Sequence, residues 1–148
     1  MKTLAPLIFL FALLAATAAA EKTLKLDQLP APVRKTVDEQ LKGAQIKNIL
    51  KEKENGKTVY EIESTRGDGK TRDFVVDETG SLVVIEEEID LASLPAGAKA
   101  AIGKQAAGAK VTKVEALIKG STTTYEAAFT RGRKKSEVIV TADGAVTK

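Results

Sequence analysis

The chain has 148 residues, of which 43% are hydrophobic and 29% are charged, and its formal net charge is +3. This composition is typical of a globular protein, and the charge is too small to indicate nucleic-acid binding. The sequence contains neither His nor Cys, which excludes a serine-histidine triad, a cysteine nucleophile, a disulfide and a thiolate or imidazole metal site. We therefore predict that the protein is not an enzyme and holds no cofactor and no metal.

The first 20 residues have the pattern of a secretory signal peptide. Lys2 precedes an apolar run from Leu4 to Leu14, and small residues fill positions 15–20. Cleavage is expected after Ala20, with Ala18 as the alternative site. An uncleaved membrane anchor is the other interpretation, but positions 4–20 fall short of the roughly 20 apolar residues that span a bilayer. Since no Cys follows for lipid attachment, we expect a periplasmic or secreted protein with no stable membrane insertion after cleavage.

Residues 21–90 are predicted to form a first structural unit. A helix is expected from about Pro30 to Leu41, because Val33 and Val37 continue to Leu41 as an apolar stripe and Gly43 can end the helix. Four strands are predicted to follow, over residues 45–54, 58–64, 71–77 and 81–89. Asn55-Gly56, between the first two strands, is a strong hairpin signal.

Residues 91–148 repeat this pattern as a second unit. Leu29-Pro30-Ala31 recurs as Leu94-Pro95-Ala96, an offset of 65 residues. The same offset relates three further segments: Gly43-Ala44 to Gly108-Ala109, Tyr60-Glu61 to Tyr125-Glu126, and Thr65-Arg66-Gly67 to Thr130-Arg131-Gly132. The second unit is predicted to have a helix ending near Gly108 and strands over 110–119, 122–130, 134–141 and 145–147.

These elements predict an α+β fold made by tandem duplication. Each unit is a helix followed by four antiparallel strands, because only short turns connect the strands. The helices are expected to pack on one face of an antiparallel sheet, which the two units can share. The second helix is rich in Ala and Gly, so we expect it to lie close to the sheet.

The motifs that carry these signals resemble the PepSY family. They are Leu29-Pro30-x-x-Val33, Gly43-Ala44-x-Ile46, Tyr60-Glu61-Ile62 and Asp77-x-x-Gly80. The chain is similar in particular to exported bacterial domains that are PepSY-like and beta-lactamase-inhibitor-protein-like, in a tandem repeat. The resemblance implies a non-catalytic binding module of the bacterial cell envelope. It also implies an alternative, an inhibitor of a peptidase or beta-lactamase-type hydrolase that acts through the exposed sheet face.

Two acidic motifs have a functional and a structural interpretation. Glu61 and Glu63 share one strand face at the spacing of some paired catalytic carboxylates, but we expect them to be the solvated side of an amphipathic strand. The run from Glu86 to Glu88 with Asp90 has the ligand type of a cation site. Its side chains alternate between the two faces of a strand, however, which favours a charged strand end.

The candidate partner-binding residues are basic or aromatic. Arg131, Arg133, Lys134 and Lys135 form the densest basic run, at a predicted turn between two strands. A solvated hairpin tip is the simplest interpretation, and contact with a protein partner or an envelope polyanion is the functional one. Tyr60 and Tyr125 are equivalent in the repeat and are predicted to be core residues, with ligand contact as the alternative. The sequence leaves the oligomeric state open.

Overall fold

A computed structural model describes residues 22–147 of the chain. Predicted features within residues 1–21, including the signal peptide and its cleavage sites, lie outside the described residues. The elements in chain order are β1 (Lys22–Thr23), α1 (Ala31–Leu41), β2 (Gln45–Glu54), β3 (Lys57–Thr65), β4 (Arg72–Asp77), β5 (Leu82–Glu88), α2 (Ala96–Gln105), β6 (Lys110–Lys119), β7 (Thr122–Arg131) and β8 (Lys134–Thr141). Short 3₁₀ turns over Leu26–Gln28 and Leu91–Ser93 precede the two helices.

The strands form one sheet in strict chain order, β1 to β8, and every pair is antiparallel. The predicted α+β class with helices on an antiparallel sheet is therefore confirmed. The two repeats share the sheet through pairing of β5 with β6, in which Ile85 lies opposite Ile118. The turn at Asn55-Gly56 has positive φ angles of 49° and 80°, the backbone that a two-residue hairpin requires.

Both helices pack on the same face of this sheet. In the first unit, Val33 and Val37 of α1 join a buried cluster with Ile62 and Phe74. In the second unit, Ala98 and Ile102 of α2 occupy the same place in a cluster that includes Val114, Ala127, Val138 and Val140. The α2 residues in this cluster include Ala98, where α1 contributes the larger Val33 and Val37. A third, smaller apolar cluster of Val59, Val75 and Val84 lies on the opposite face.

A turn packs against the start of the helix in both repeats. In the first unit, the Thr36 hydroxyl donates a hydrogen bond to the Gly80 carbonyl oxygen at 2.6 Å. In the second unit, the amide of Ala98 donates to the carbonyl oxygen of Ala142 at 3.2 Å. The contact is close, because a Cβ built on Gly97 would lie 2.5 Å from the carbonyl carbon of Asp143. This close contact is between α2 and the turn that follows β8, and the first unit has an equivalent one, where a Cβ on Gly80 would lie 2.7 Å from the carbonyl oxygen of Pro32.

The second unit differs from the first at its end. A fourth strand was expected over residues 145–147, but the structure has only a single bridge between Val140 and Val146. The amide of Thr147 also donates to the carbonyl oxygen of Ile139 at 2.8 Å. Within residues 22–147, no helix is long and apolar enough to cross a membrane.

Candidate interaction surfaces

The predicted basic run forms the tip of the last hairpin. Arg131 ends β7 and Lys134 begins β8, and the two residues lie opposite each other in the register. Gly132 completes the turn with a φ of 61°, and the four basic residues are all exposed. We call the set of Arg131, Arg133, Lys134 and Lys135 the basic hairpin.

Among residues 22–147, Arg131 is the residue of the basic hairpin whose side chain hydrogen-bonds to the rest of the fold. The Arg131 guanidinium donates from Nη2 to the carbonyl oxygen of Ala107, just beyond the end of α2. That carbonyl group follows the last turn of the helix, where a cation is favourable. Among residues 22–147, no carboxylate forms an ion pair with the basic hairpin.

The two tyrosines lie on the face that the helices cover. Tyr60 is 4% exposed and belongs to the first core cluster. Tyr125 is half-buried against the second cluster and lies opposite Val140. The structure places both on the core side of the sheet and does not bring them together with the basic hairpin into one surface. Tyr60 in particular leaves little surface for a partner to contact.

The face opposite the helices is acidic. Asp73 lies directly opposite Glu86, Glu88 opposite Glu115, and Glu115 opposite Glu126. No helix among the described residues packs on this face. We call it the acidic face and define it by seven carboxylates on five neighbouring strands: Glu61, Glu63, Asp73, Glu86, Glu88, Glu115 and Glu126.

Glu61 was expected on the solvated side of an amphipathic strand, and this prediction is wrong. The residue is only 6% exposed, and it lies between Leu50 of β2 and Val75 of β4 in the register. Burial, together with the nearby carboxylates of Glu52 and Glu63, raises the pKa of Glu61 to about 8. The period of two identified the face correctly, but it gives no information about how deeply a residue on that face is buried.

Glu86 is in a similar environment on β5. Burial raises its pKa to about 8, and the charges of Glu115, Glu126 and Asp73 add to the effect, while Lys113 opposes it. Lys113 is paired with Glu115, with 2.6 Å between Nζ and Oε1. Carboxylates directly opposite each other on neighbouring strands destabilise a sheet. Burial and charge repulsion therefore both oppose ionisation of Glu61 and Glu86.

The other carboxylates of the run from Glu86 to Glu88 serve the fold. Glu87 lies on the helix side and accepts from Arg66 at 2.7 Å and from Arg72 at 3.1 Å. Asp90 pairs with Lys70 at 2.6 Å. In the part of the chain that the structure describes, no group of three acidic side chains has an arrangement that could hold a metal ion. These pairings agree with the interpretation of the run as a charged strand end.

Sequence reasoning missed a buried arginine at the centre of this network. Arg72 is 5% exposed, and its Nε donates to the carbonyl oxygen of Gln40 at 3.2 Å, close to the end of α1. Together with its pair to Glu87, this contact ties the helix to strands β4 and β5. The available signal was the alternation of β4, in which Arg72, Phe74 and Val76 share the core-facing side.

Comparison with a family model assigns the first unit. Residues 15–78 match the model described as "Peptidase propeptide and YPEB domain", which is PepSY. This stretch of the chain is similar to the PepSY family. The match includes α1 and the strands up to β4, together with positions 15–20 of the predicted signal peptide. The expected resemblance to PepSY-like proteins is thereby confirmed.

Solved structures with the same fold cover most of the chain. A protein of Bacteroides eggerthii, provisionally named as periplasmic, superposes with a TM-score of 0.67 at 14% identity, covering 81% of this chain and 86% of its own. A DUF2874 family protein of Bacteroides ovatus superposes with a TM-score of 0.65 at 16% identity, covering 82% of this chain and 86% of its own. A BLIP-like protein of Bacteroides fragilis superposes with a TM-score of 0.62 at 17% identity, covering 81% of this chain and 84% of its own. At these identities the similarity shows the fold alone. No curated protein matches the sequence.

Proposed function

We propose that this protein is a non-catalytic interaction module of the bacterial cell envelope, which binds an acidic protein partner through the basic hairpin. The observation that carries this proposal is the concentration of four exposed cations, Arg131, Arg133, Lys134 and Lys135, on one hairpin tip. No carboxylate of the described fold pairs with them. A solvated turn needs one or two polar residues, and four adjacent cations repel one another unless an anion is bound.

The distribution of charge between the units supports an electrostatic contact. Residues 21–90 carry 12 basic and 16 acidic side chains, whereas residues 91–148 carry 10 basic and 4 acidic side chains. The first unit is therefore negative and the second positive. Such a dipole steers the encounter between proteins and increases the association rate more than the final affinity. Aromatic residues make up only 4% of the sequence, so we expect a modest affinity that depends strongly on salt.

The non-catalytic and envelope parts of the proposal have separate support. The lack of His and Cys in the sequence removes the commonest catalytic groups. The predicted signal peptide and the provisional periplasmic name of one structural neighbour both favour the envelope.

The experiment is affinity capture from an envelope extract of the native host, followed by mass spectrometry. The test variant replaces the four residues of the basic hairpin by Ser. Its matched control replaces four exposed lysines elsewhere, Lys35, Lys47, Lys53 and Lys99, and changes the net charge equally. Partners captured by the wild type and the control, but lost with the hairpin variant, would support the proposal. Equal capture by all three proteins would contradict it, and capture of a polyanion alone would reassign the ligand.

A second candidate function is restraint of a hydrolase. It is favoured by the description of the matched family model, which names a peptidase propeptide, and by the BLIP-like name of one neighbour in structure. The test is to add the pure protein to envelope peptidases and to beta-lactamases and to measure their hydrolysis rates. A concentration-dependent loss of one activity would support inhibition, and unchanged rates for all of them would rule against it.

A further inference from the structure

The last strand of the sheet has an open edge. In the part of the chain that the structure describes, β8 ends the order of the sheet and β7 is its only neighbouring strand. A short segment covers one end of this edge, where the amide of Thr147 donates to the carbonyl oxygen of Ile139 and the amide of Thr141 donates to that of Ala145. Beside residues 134–138, no described segment pairs with β8 on this side.

The open edge presents backbone groups that an added strand can bind. Ile139 and Thr141 bond away from β7, and the register between β7 and β8 is continuous. Since alternate residues of an antiparallel strand bond to the same side, the amides and carbonyl groups of Lys135 and Glu137 also point away from β7. Each of these two residues brings one donor and one acceptor. An extended chain can add to such an edge as a further strand.

The internal repeat shows which strand lies in the equivalent place of the first unit. β4 is the counterpart of β8, because Tyr60 lies opposite Val76 as Tyr125 lies opposite Val140. The open side of β8 therefore corresponds to the side of β4 that pairs with β5. That strand ends in three acidic residues, Glu86–Glu88. The first unit thus has an acidic strand where the second unit has an open edge.

Two cations of the first unit form ion pairs with this acidic strand and the residues after it. Arg66 Nη1 lies 2.7 Å from Glu87 Oε1, and Lys70 Nζ lies 2.6 Å from Asp90 Oδ2. Arg66 and Lys70 close the turn that leads into β4. The residues that close the equivalent turn before β8 are Arg131 and Lys134 of the basic hairpin. Among residues 22–147, neither of them forms an ion pair with a carboxylate.

We propose that the open edge of β8 binds an extended acidic segment of the partner protein, which adds to the sheet as a further antiparallel strand. This inference rests on the proposed function, because the acidic partner is the same, and it names the mode of binding. The segment takes the place that β5 has in the first unit. Its backbone bonds to Lys135 and Glu137, and its carboxylates reach Arg133, Lys134 and Lys135 across the edge.

The charge of the edge selects this occupant. Exposed lysines on an edge strand keep the edges of other sheets away. Two copies of β8 placed side by side would bring two sets of cations together, which opposes pairing of the chain with itself. An acidic strand reverses the sign of this effect, because the same lysines then attract it. The lysines can therefore protect the free edge and recognise the partner.

The test is an NMR titration of the ¹⁵N-labelled protein, purified after export, with a synthetic peptide. The peptide has the sequence of residues 85–90, Ile-Glu-Glu-Glu-Ile-Asp, capped at both ends, with Thr in place of Glu86 because that position would face Glu137. One derivative is N-methylated at positions 86 and 88, since in the first unit the amide of Glu88 donates to β4's side of the sheet, at Thr71. The control derivative is N-methylated at positions 87 and 89, whose amides face the other way.

We expect the peptide to shift the amide signals of Lys135 and Glu137 and to slow their hydrogen exchange. Methylation at positions 86 and 88 should weaken binding about tenfold, and the control methylation should not. In the protein, Glu137→Pro removes one outward amide but no bond to β7, and Pro is tolerated on an edge strand. It should bind the peptide about fivefold more weakly than Glu137→Gln, the control variant of equal charge.

The outcomes separate this proposal from the proposed function. Equal binding of the two methylated peptides, lost with the Ser variant of the basic hairpin, would keep the acidic contact and overturn strand addition. Absence of peptide binding would also overturn strand addition, whereas the proposed function is decided by the capture experiment. Self-association that Glu137→Pro abolishes would assign the edge to a second copy of the chain, and this too would overturn the proposal.

Discussion

Two glycines of the same helix should respond to alanine in opposite directions. Gly97 and Gly103 both lie in α2, so the intrinsic helix preference favours Ala at each by up to about 1 kcal/mol. Their surroundings differ. A Cβ on Gly103 would meet no atom within 4 Å, whereas a Cβ on Gly97 would lie 2.5 Å from the carbonyl carbon of Asp143 and 2.8 Å from the carbonyl oxygen of Ala142.

The steric effect at Gly97 should exceed the gain in helix preference. Ordinary contacts of a Cβ begin at 3.4 Å, so the turn that contains Ala142 and Asp143 must move by almost 1 Å. The hydrogen bond from the Ala98 amide to Ala142, already 3.2 Å long, would be strained or lost. Overpacking of this kind costs about 1–3 kcal/mol. We therefore expect Gly97→Ala to destabilise the protein by about 1–2 kcal/mol and Gly103→Ala to stabilise it by about 0.5–1 kcal/mol.

The assay is urea-induced unfolding followed by circular dichroism. Both variants should keep the wild-type dependence of unfolding free energy on urea, because neither changes the surface that unfolding exposes. The midpoint should fall for Gly97→Ala and rise for Gly103→Ala. If Gly97→Ala proves as stable as Gly103→Ala, then α2 does not pack against the turn as described, and the argument from close approach is refuted.

Three further predictions test other parts of the structure. Val37→Asp should cost at least about 3 kcal/mol of unfolding free energy, because it places an unpaired charge in the first core cluster, while the exposed change Lys35→Asp should cost little in the same urea assay. The pKa of Glu61 is about 8 in the folded protein and 4.5 in the unfolded chain. Between these values the folded protein keeps a proton that the unfolded chain has released, so the free energy of unfolding should fall as the pH rises from 4.5 through about 8. Glu61→Gln should flatten this dependence and be more stable than the wild type by about 1–2 kcal/mol above pH 8, and equal pH profiles would contradict the burial of that carboxyl. Intact-mass measurement on protein from the native host should show the loss of residues 1–20, or of residues 1–18, and a full-length chain in the membrane fraction would contradict the predicted export.

Much of the fold could be predicted because its signals are local. The apolar stripe through Val33 and Val37 defined α1, and Asn55-Gly56 defined the first hairpin. The internal repeat then transferred each assignment to the second unit, where β6 and β8 begin and end at the predicted residues. Strand 145–147 was the exception. A strand needs a continuous run of hydrogen bonds along its neighbour, which the single bridge at Val146 does not provide. The pattern of apolar residues does not show how far such pairing extends.

The candidate surfaces depended on longer-range features that the sequence did not reveal. The position of the basic hairpin followed from one turn, and so it could be predicted. The acidic face required the register of five strands, because Glu88 and Glu126 are far apart in sequence and meet only through Glu115. The burial of Glu61 depended on Leu50 and Val75 beside it. The ion pair between Arg72 and Glu87 likewise joins two strands, and nothing in the sequence around either residue predicts that the two are partners.

The most direct test of the proposed function is the salt dependence of binding to a captured partner. The dissociation constant would be measured for the wild type, the Ser variant of the basic hairpin and the matched lysine control, at about 50 and 300 mM salt, between which the screening length falls below about 10 Å. We predict salt-sensitive binding of modest affinity for the wild type and the control, and much weaker binding with little salt dependence for the hairpin variant. Equal dissociation constants for all three proteins at low salt would contradict the assignment of the basic hairpin as the contact.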